Sequence, residues 1–269
     1  QPVIVKPPNT PTFFYDYGYA VSGETGAHDY ASFMDKHSTR RRVVLVGAND
    51  GMLHAFDGGV WDRDRVTTDP ATDTYNEIHD LGNGTELFAW VPQAVMDNLY
   101  DITSGGTIDH VLPKYMVDGP IVKSDAYIDH DGDTDREWRT VALTSMRRGG
   151  RGITALDITQ PDPVDYDVNG TPKYTSESSD FPGCHDGDDS RCDGEYPKVL
   201  WEFSDTSDSD TNCPLGLSGS DCAPYWDLGW TWSKPAIARI AVYNSSEEQE
   251  PNDVFVAFFG REWHQTNSD

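Results

Sequence analysis

The stretch Val43-Val44-Leu45-Val46-Gly47-Ala48-Asn49-Asp50-Gly51-Met52-Leu53-His54-Ala55-Phe56-Asp57 decides the fold. Two β-rich runs flank Asp50-Gly51, a pair that tolerates the positive φ of a primed turn, so the stretch predicts a β-hairpin. The hairpin recurs. Arg42 to Leu45 matches Arg139 to Ala142, 97 positions on, and Leu53 to Asp57 matches Ile153 to Asp157, 100 positions on. A closing strand follows each copy, Glu86-Leu87-Phe88-Ala89-Trp90 and Lys198-Val199-Leu200-Trp201-Glu202-Phe203. Pro120-Ile121-Val122 matches Pro235-Ala236-Ile237, and Val141-Ala142-Leu143 matches Val256-Ala257-Phe258, both 115 positions on.

Four short strands per repeat predict β-propeller blades. A lone four-stranded sheet cannot cover both its faces, so blades stack around an axis and bury one another. The expected fold is all-β, a β-propeller of four-stranded antiparallel blades with long loop insertions. Blades are expected at roughly 41–115 and 116–230, with a partial third at 231–269. Propellers usually close with four to eight blades, so the chain is expected to be an incomplete ring or a fragment of a longer one. Residues 1–40, rich in Pro, Gly and Tyr without a sustained period, predict an extended N-terminal arm. Gly58 to Gly84 reads as a polar excursion, and one short helix is expected at Gln93 to Leu99.

Twenty Lys and Arg against 46 Asp and Glu give a net charge of −26. No basic surface exists to displace counterions from phosphates, which excludes sequence-independent nucleic-acid binding. Anionic lipid would repel such a chain, and no run of about 18 apolar residues is present to span a bilayer. Eight Trp, thirteen Tyr and ten Phe supply bulk for a core. The chain opens on Gln1, so a processed or trimmed chain is expected.

Cys184 and Cys192 bracket one Gly/Asp-rich segment, and Cys213 and Cys222 bracket another. Four cysteines allow three connectivities; the spacing favours the two local pairs, Cys184 with Cys192 and Cys213 with Cys222. Zinc is the competing reading, but neither pair has a zinc knuckle's spacing. Local disulfides imply an oxidising compartment, the periplasm or cell exterior.

The same strands carry a family resemblance. Val44 to Asp57, Glu86-Leu87-Phe88-Ala89-Trp90-Val91-Pro92, Tyr115-Met116-Val117-Asp118-Gly119-Pro120 and Gly149 to Asp157 resemble the PilY/PilC family of type IV pilus-associated proteins. The likeness runs on through Leu200-Trp201-Glu202-Phe203, Trp232-Ser233-Lys234-Pro235 and Ala257-Phe258-Phe259-Gly260, in the family's order. It implies a bacterial protein, secreted through the periplasm to the cell surface or pilus, with a C-terminal β-propeller. It further implies a place at the pilus tip with minor pilins, a role in pilus assembly, and adhesion to host or abiotic surfaces. The family's calcium loop would fall beyond Asp269, and the acidic insertions Gln160 to Pro197 and Ser204 to Pro224 have no obvious family equivalent.

Asp129-His130-Asp131-Gly132-Asp133-Thr134-Asp135 is the candidate metal loop. Asp129, Asp131, Asp133 and Asp135 stand at alternate positions, as calcium's hard oxygen ligands require. Thr134 replaces the sharp-turn Gly, Thr140 replaces the bidentate Glu, and Glu137 could act through water. The plain alternative is a solvated turn between Ala126-Tyr127-Ile128 and Trp138-Arg139-Thr140-Val141. Asp186, Asp188, Asp189 and Asp193 read as a charged loop. His54 is expected to be packed or at an edge, not catalytic. Arg147, Arg148 and Arg151 form a cationic knot, expected at a hairpin tip paired with the protein's own carboxylates, with an anion or a partner's acidic patch as the other reading.

No Gly-x-Ser-x-Gly, His-Glu-x-x-His or Walker glycine loop occurs, so no enzyme is expected. The first functional reading is a non-enzymatic pilus-associated propeller acting through protein contacts. The second is a quinoprotein-like periplasmic dehydrogenase, whose propeller repeats Val46 to Asp57 also resembles. A structural subunit of another extracellular filament is the third.

Overall fold

A computed structural model of the chain describes residues 1–9, 30–69, 74–80, 82–96, 98–99, 115–130, 136–161, 165–166, 172–173, 196–204, 230–242 and 252–260. In chain order the elements are β1 (Val3–Val5), α1 (Tyr30–Lys36), β2 (Val43–Gly47), β3 (Leu53–Asp57), β4 (Val60–Asp69), β5 (Thr74–Asp80) and β6 (Glu86–Trp90). Then follow β7 (Ile121–Ile128), β8 (Glu137–Ser145), β9 (Gly152–Asp157), β10 (Asp165–Tyr166), β11 (Pro172–Lys173), β12 (Lys198–Ser204), β13 (Ala236–Val242) and β14 (Asn252–Phe258). Two antiparallel four-stranded sheets result, β1-β2-β3-β6 and β7-β8-β9-β12, and β13-β14 forms a third, two-stranded unit.

The faces shield one another as a propeller requires. Val43, Leu45, Leu53 and Ala55 of the first sheet pack on Ile121, Ala142 and Leu156 of the second. On its other face the second sheet sets Val141, Leu143 and Ala155 against Ile237, Phe255 and Ala257 of the β13-β14 hairpin. Every residue of β9 is therefore buried. Leu45, Leu53 and Leu156 are fully covered, and each such side chain contributes about 1.5–3 kcal/mol of transfer free energy. The strands β1, β7 and β13 of successive units lie beside one another.

The expected hairpin forms, with Val43 opposite Asp57 and Gly47 opposite Leu53. Its connection is wider than a two-residue primed turn. Only Gly51 takes a positive φ, at 98°, while Asp50 accepts the Met52 N–H at 3.0 Å through its side chain. A 3-10 turn at Gln93–Val95 begins the expected short helix.

The repeat is regular, but its register differs by one residue from the sequence alignment. Val43 pairs with Asp57 and Val141 with Asp157, so β2 maps onto β8 at 98 positions. Arg41, not Arg42, is the counterpart of Arg139: Arg41 lies 2.7 Å from Asp57 and Arg139 lies 3.8 Å from Asp157. Val43 to Val46 is an unbroken apolar run, which carries no alternation to fix its place in the repeat. The outer strands repeat a bulge at the same place, between the partners of Ala55 and Phe56 and between those of Ala155 and Leu156.

Three elements depart from the sequence reading. Within the segment read as an extended arm, Val3–Val5 pairs with Val43 to Leu45 and completes the first sheet. Three residues are too few to show a period. Tyr30–Lys36 is helical, burying Tyr30 and Phe33 against Trp138, whose ring stands 4.6 Å from Tyr30. Seven residues fall short of the window in which helical periodicity can be read. The polar excursion after Gly58 holds the antiparallel β4-β5 ribbon.

Candidate functional site

The turns joining β2 to β3 and β8 to β9, and the connections between sheets, gather on one rim. Val117 N–H donates to Ala48 O at 3.1 Å, and Met116 N–H to the Asn49 side chain at 3.3 Å. One unit on, Thr231 does the same work. Its hydroxyl accepts the Met146 N–H at 3.1 Å and donates to Gly152 O at 3.0 Å, and its backbone bridges Arg147. Fully buried Thr231 leaves Trp230 and Trp232 on its flanks, their rings 6.3 Å apart.

The cationic knot sits against these rings. The Arg147 guanidinium lies 5.2 Å from the Trp232 centroid. Arg148 lies 5.5 Å from Trp232 and 5.5 Å from Tyr115. Tyr115 and Trp230 are each 39% exposed. The expectation that Arg147 and Arg148 pair with the protein's own carboxylates is replaced, among the described residues, by cation–aromatic stacking, worth about 0.5–1 kcal/mol per exposed contact. Tyr115 and Trp230 occupy equivalent places in successive repeats, a spacing that could have exposed the aromatic half of the site; aromatic residues read as core bulk hid it.

His54 faces the turn end of β3. Its Nε2 meets Asp50 at 2.9 Å and its Nδ1 meets Glu86. Burial opposes charging, but hydrogen bonds to Glu86 and Asp50 outweigh it and raise its pKa above the ordinary value. An imidazole bonded through both ring nitrogens to carboxylates ties β3 to β6. His54 lies on an inner strand of the first sheet, which matches the packed half of the expectation and not the edge half.

Of the candidate calcium ligands, Asp129 lies just past β7; Asp131, Asp133 and Asp135 lie outside the described residues. The flanking strands pair Tyr127 with Trp138 and Ile128 with Glu137. His130, two residues past β7, accepts from Arg139 at 2.9 Å; burial, then the Arg139 cation, push its pKa down to about 4. Among the described residues no group of three His, Cys, Asp or Glu fits a metal ion. Cys184, Cys192, Cys213, Cys222 and the aspartates Asp186, Asp188, Asp189 and Asp193 also lie outside the described residues.

A polar seam runs under the first two sheets. Buried Arg40 donates to Thr140 Oγ1 at 2.7 Å and Thr159 O at 3.1 Å. Thr140 donates on to Asp125 at 2.7 Å, and the Tyr30 hydroxyl donates to the same carboxylate at 2.8 Å. His37 closes the seam. Burial first, then the cations Arg40, Lys36 and Arg139, bring its pKa to about 3 against the partial opposition of Asp157. A lowered histidine pKa means that the unfolded chain binds the extra proton between pH 6.5 and about 3, so stability falls as pH falls through that window. His37 alone sets a slope approaching about 1.4 kcal/mol per pH unit there. Urea midpoints at pH 7, 5.5 and 4.5 should fall less steeply for His37→Leu than for the parent; equal slopes would refute the assignment.

Residues 13–172 match the family model described as the PilY1 beta-propeller domain. The chain is similar to the type IV pilus biogenesis factor PilY1 homolog of Xylella fastidiosa, 35% identical over 60% of this chain and 10% of that protein. It is likewise similar to the type IV pilus biogenesis factor PilY1 of Pseudomonas aeruginosa strain PAK, 35% identical over 79% of this chain and 11% of that protein. Among solved structures it is similar to the Pseudomonas aeruginosa PilY1 C-terminal domain, 26% identical over 79% of this chain and 26% of that one, with a TM-score of 0.38. The chain thus spans about a tenth of the length of the curated relatives it matches.

Proposed function

Since this chain belongs to the PilY1 β-propeller family, we propose that it serves a type IV pilus as a non-enzymatic biogenesis and adhesion factor, working through protein contacts at the pilus tip. The observation that carries the reading is the family match across residues 13–172, joined to relatives named as pilus biogenesis factors. The structure supports it physically: rigid, mutually buried sheets present inter-sheet connections on one rim, an arrangement suited to recognition. Minor pilins are the proposed partners, and the cell exterior the proposed location. No helix of the described residues is long and apolar enough to cross a membrane.

Sheared pili from a piliated host expressing the tagged chain should carry it, and immunogold label should fall at filament ends. Recovery with minor pilins should accompany that label. Absence from pili and failure to associate with minor pilins would overturn the reading. Label spread along the shaft would instead mark a structural subunit. Calcium binding at the turn following Asp129 is a separate proposal; titration calorimetry that finds nothing tighter than millimolar removes it.

A further inference from the structure

We propose that the rim formed by Tyr115, Arg147, Arg148, Trp230 and Trp232 is a receptor for a carboxylate on an acidic polypeptide segment. Three features of the site point to such a ligand. The Arg147 and Arg148 guanidiniums both lie within 5.5 Å of the Trp232 ring centroid, and Arg148 also 5.5 Å from that of Tyr115, which gathers two cations at one point of the rim. Planar guanidinium donors match carboxylate oxygens two at a time. Arg148 is exposed and Arg147 half-buried, so both cations can be approached from solvent.

The backbone of Arg147 is the third feature. It takes φ 48°, the one non-glycine residue with positive φ among those described, although the chain places glycines at 149 and 150. Glycine would fit that conformation at least cost. The strained arginine is what a site would retain for the sake of its side chain.

A polypeptide fits better than a sugar or a polyanion. Two cations at the rings favour an anionic ligand over a neutral sugar. The chain carries a net charge of −26, and a long polyanion passing the rim would meet repulsion beyond it. A single carboxylate in direct contact gains the local attraction, while more distant charges are screened over about 8 Å at physiological salt. The inference uses the pilus reading only in taking the partner to be a protein.

The test uses the purified chain and its tryptophan fluorescence. The probe is an uncharged extended peptide carrying two glutamates, compared with the same peptide carrying glutamines. Saturable binding of the glutamate peptide is expected, at least tenfold weaker for the glutamine peptide and for Arg148→Gln. Arg147→Gly should keep or raise the melting temperature while losing at least fivefold in affinity, which separates binding from folding. Equal affinity for the two peptides, or parent-like affinity in both variants, would overturn the proposal. Tighter binding of a short oligo-uronate than of the peptide would overturn the choice of a polypeptide. Variants that lose the peptide yet still reach the pilus tip would leave the pilus reading standing and show that this rim is not its anchor.

Discussion

Gly149→Ala is expected to lower the melting temperature of the chain by about 6–12 °C, because among the described glycines it makes the closest backbone overlap. A Cβ built on Gly149 would lie 1.5 Å from the carbonyl oxygen of Met116 and 2.5 Å from its Cα. Those are backbone atoms, so no rotamer change relieves the overlap. Gly149 also donates its N–H to Met146 O at 2.8 Å and accepts from Asn98 at 2.9 Å. The turn and the connection before β7 would have to part, costing on the order of 3 kcal/mol or more, at the upper end of overpacking changes. Gly84→Ala is the control. Its φ is positive, but nothing lies within 4 Å of its Cβ position, so it should cost only the backbone strain of about 1–2 kcal/mol. Thermal melts of the two variants decide the matter; a small loss at 149 would mean that the two segments are not in contact.

Arg40→Leu is expected to be comparably severe. Arg40 is 5% exposed and Asp125 6%, and Thr140 links them by two hydrogen bonds of 2.7 Å. Removing one charge from such a seam strands the other, at a typical cost of about 3–5 kcal/mol. The double variant Arg40→Leu with Asp125→Leu should lose less than the two single losses together, with a coupling of about 1–3 kcal/mol. Urea unfolding supplies all four corners of that cycle. Strict additivity would show that Arg40 and Asp125 do not sense each other through Thr140.

Seam and rim were legible to different degrees. Asp125 and Arg40 stood in the sequence as two charges 85 positions apart, with no local pattern to join them. They meet because α1 and the residues after it pass beneath the second sheet, bringing Tyr30 and Arg40 to one carboxylate and one hydroxyl. The rim was half legible: Arg147 and Arg148 stood out as cations in an acidic chain, whereas the aromatic rings that hold them arrive from connections 32 residues before Arg147 and 85 after it. Nothing in local composition could show that Trp232 lies under a guanidinium.

From the sequence alone came the hairpin and closing strands of each repeat and hence the propeller, because strand propensity, turn chemistry and repetition are local and need no partner to be read. Tertiary structure alone decided which residue of β2 is the counterpart of which in β8, the recruitment of Val3–Val5 as a sheet edge, and the meeting of Tyr115, Arg147, Arg148 and Trp232. In the all-apolar run Val43 to Val46 neighbouring residues look alike in sequence, so its place in the repeat is set by partners such as Arg41 with Asp57. A surface site built from separate connections exists only once the rigid sheets hold those connections side by side.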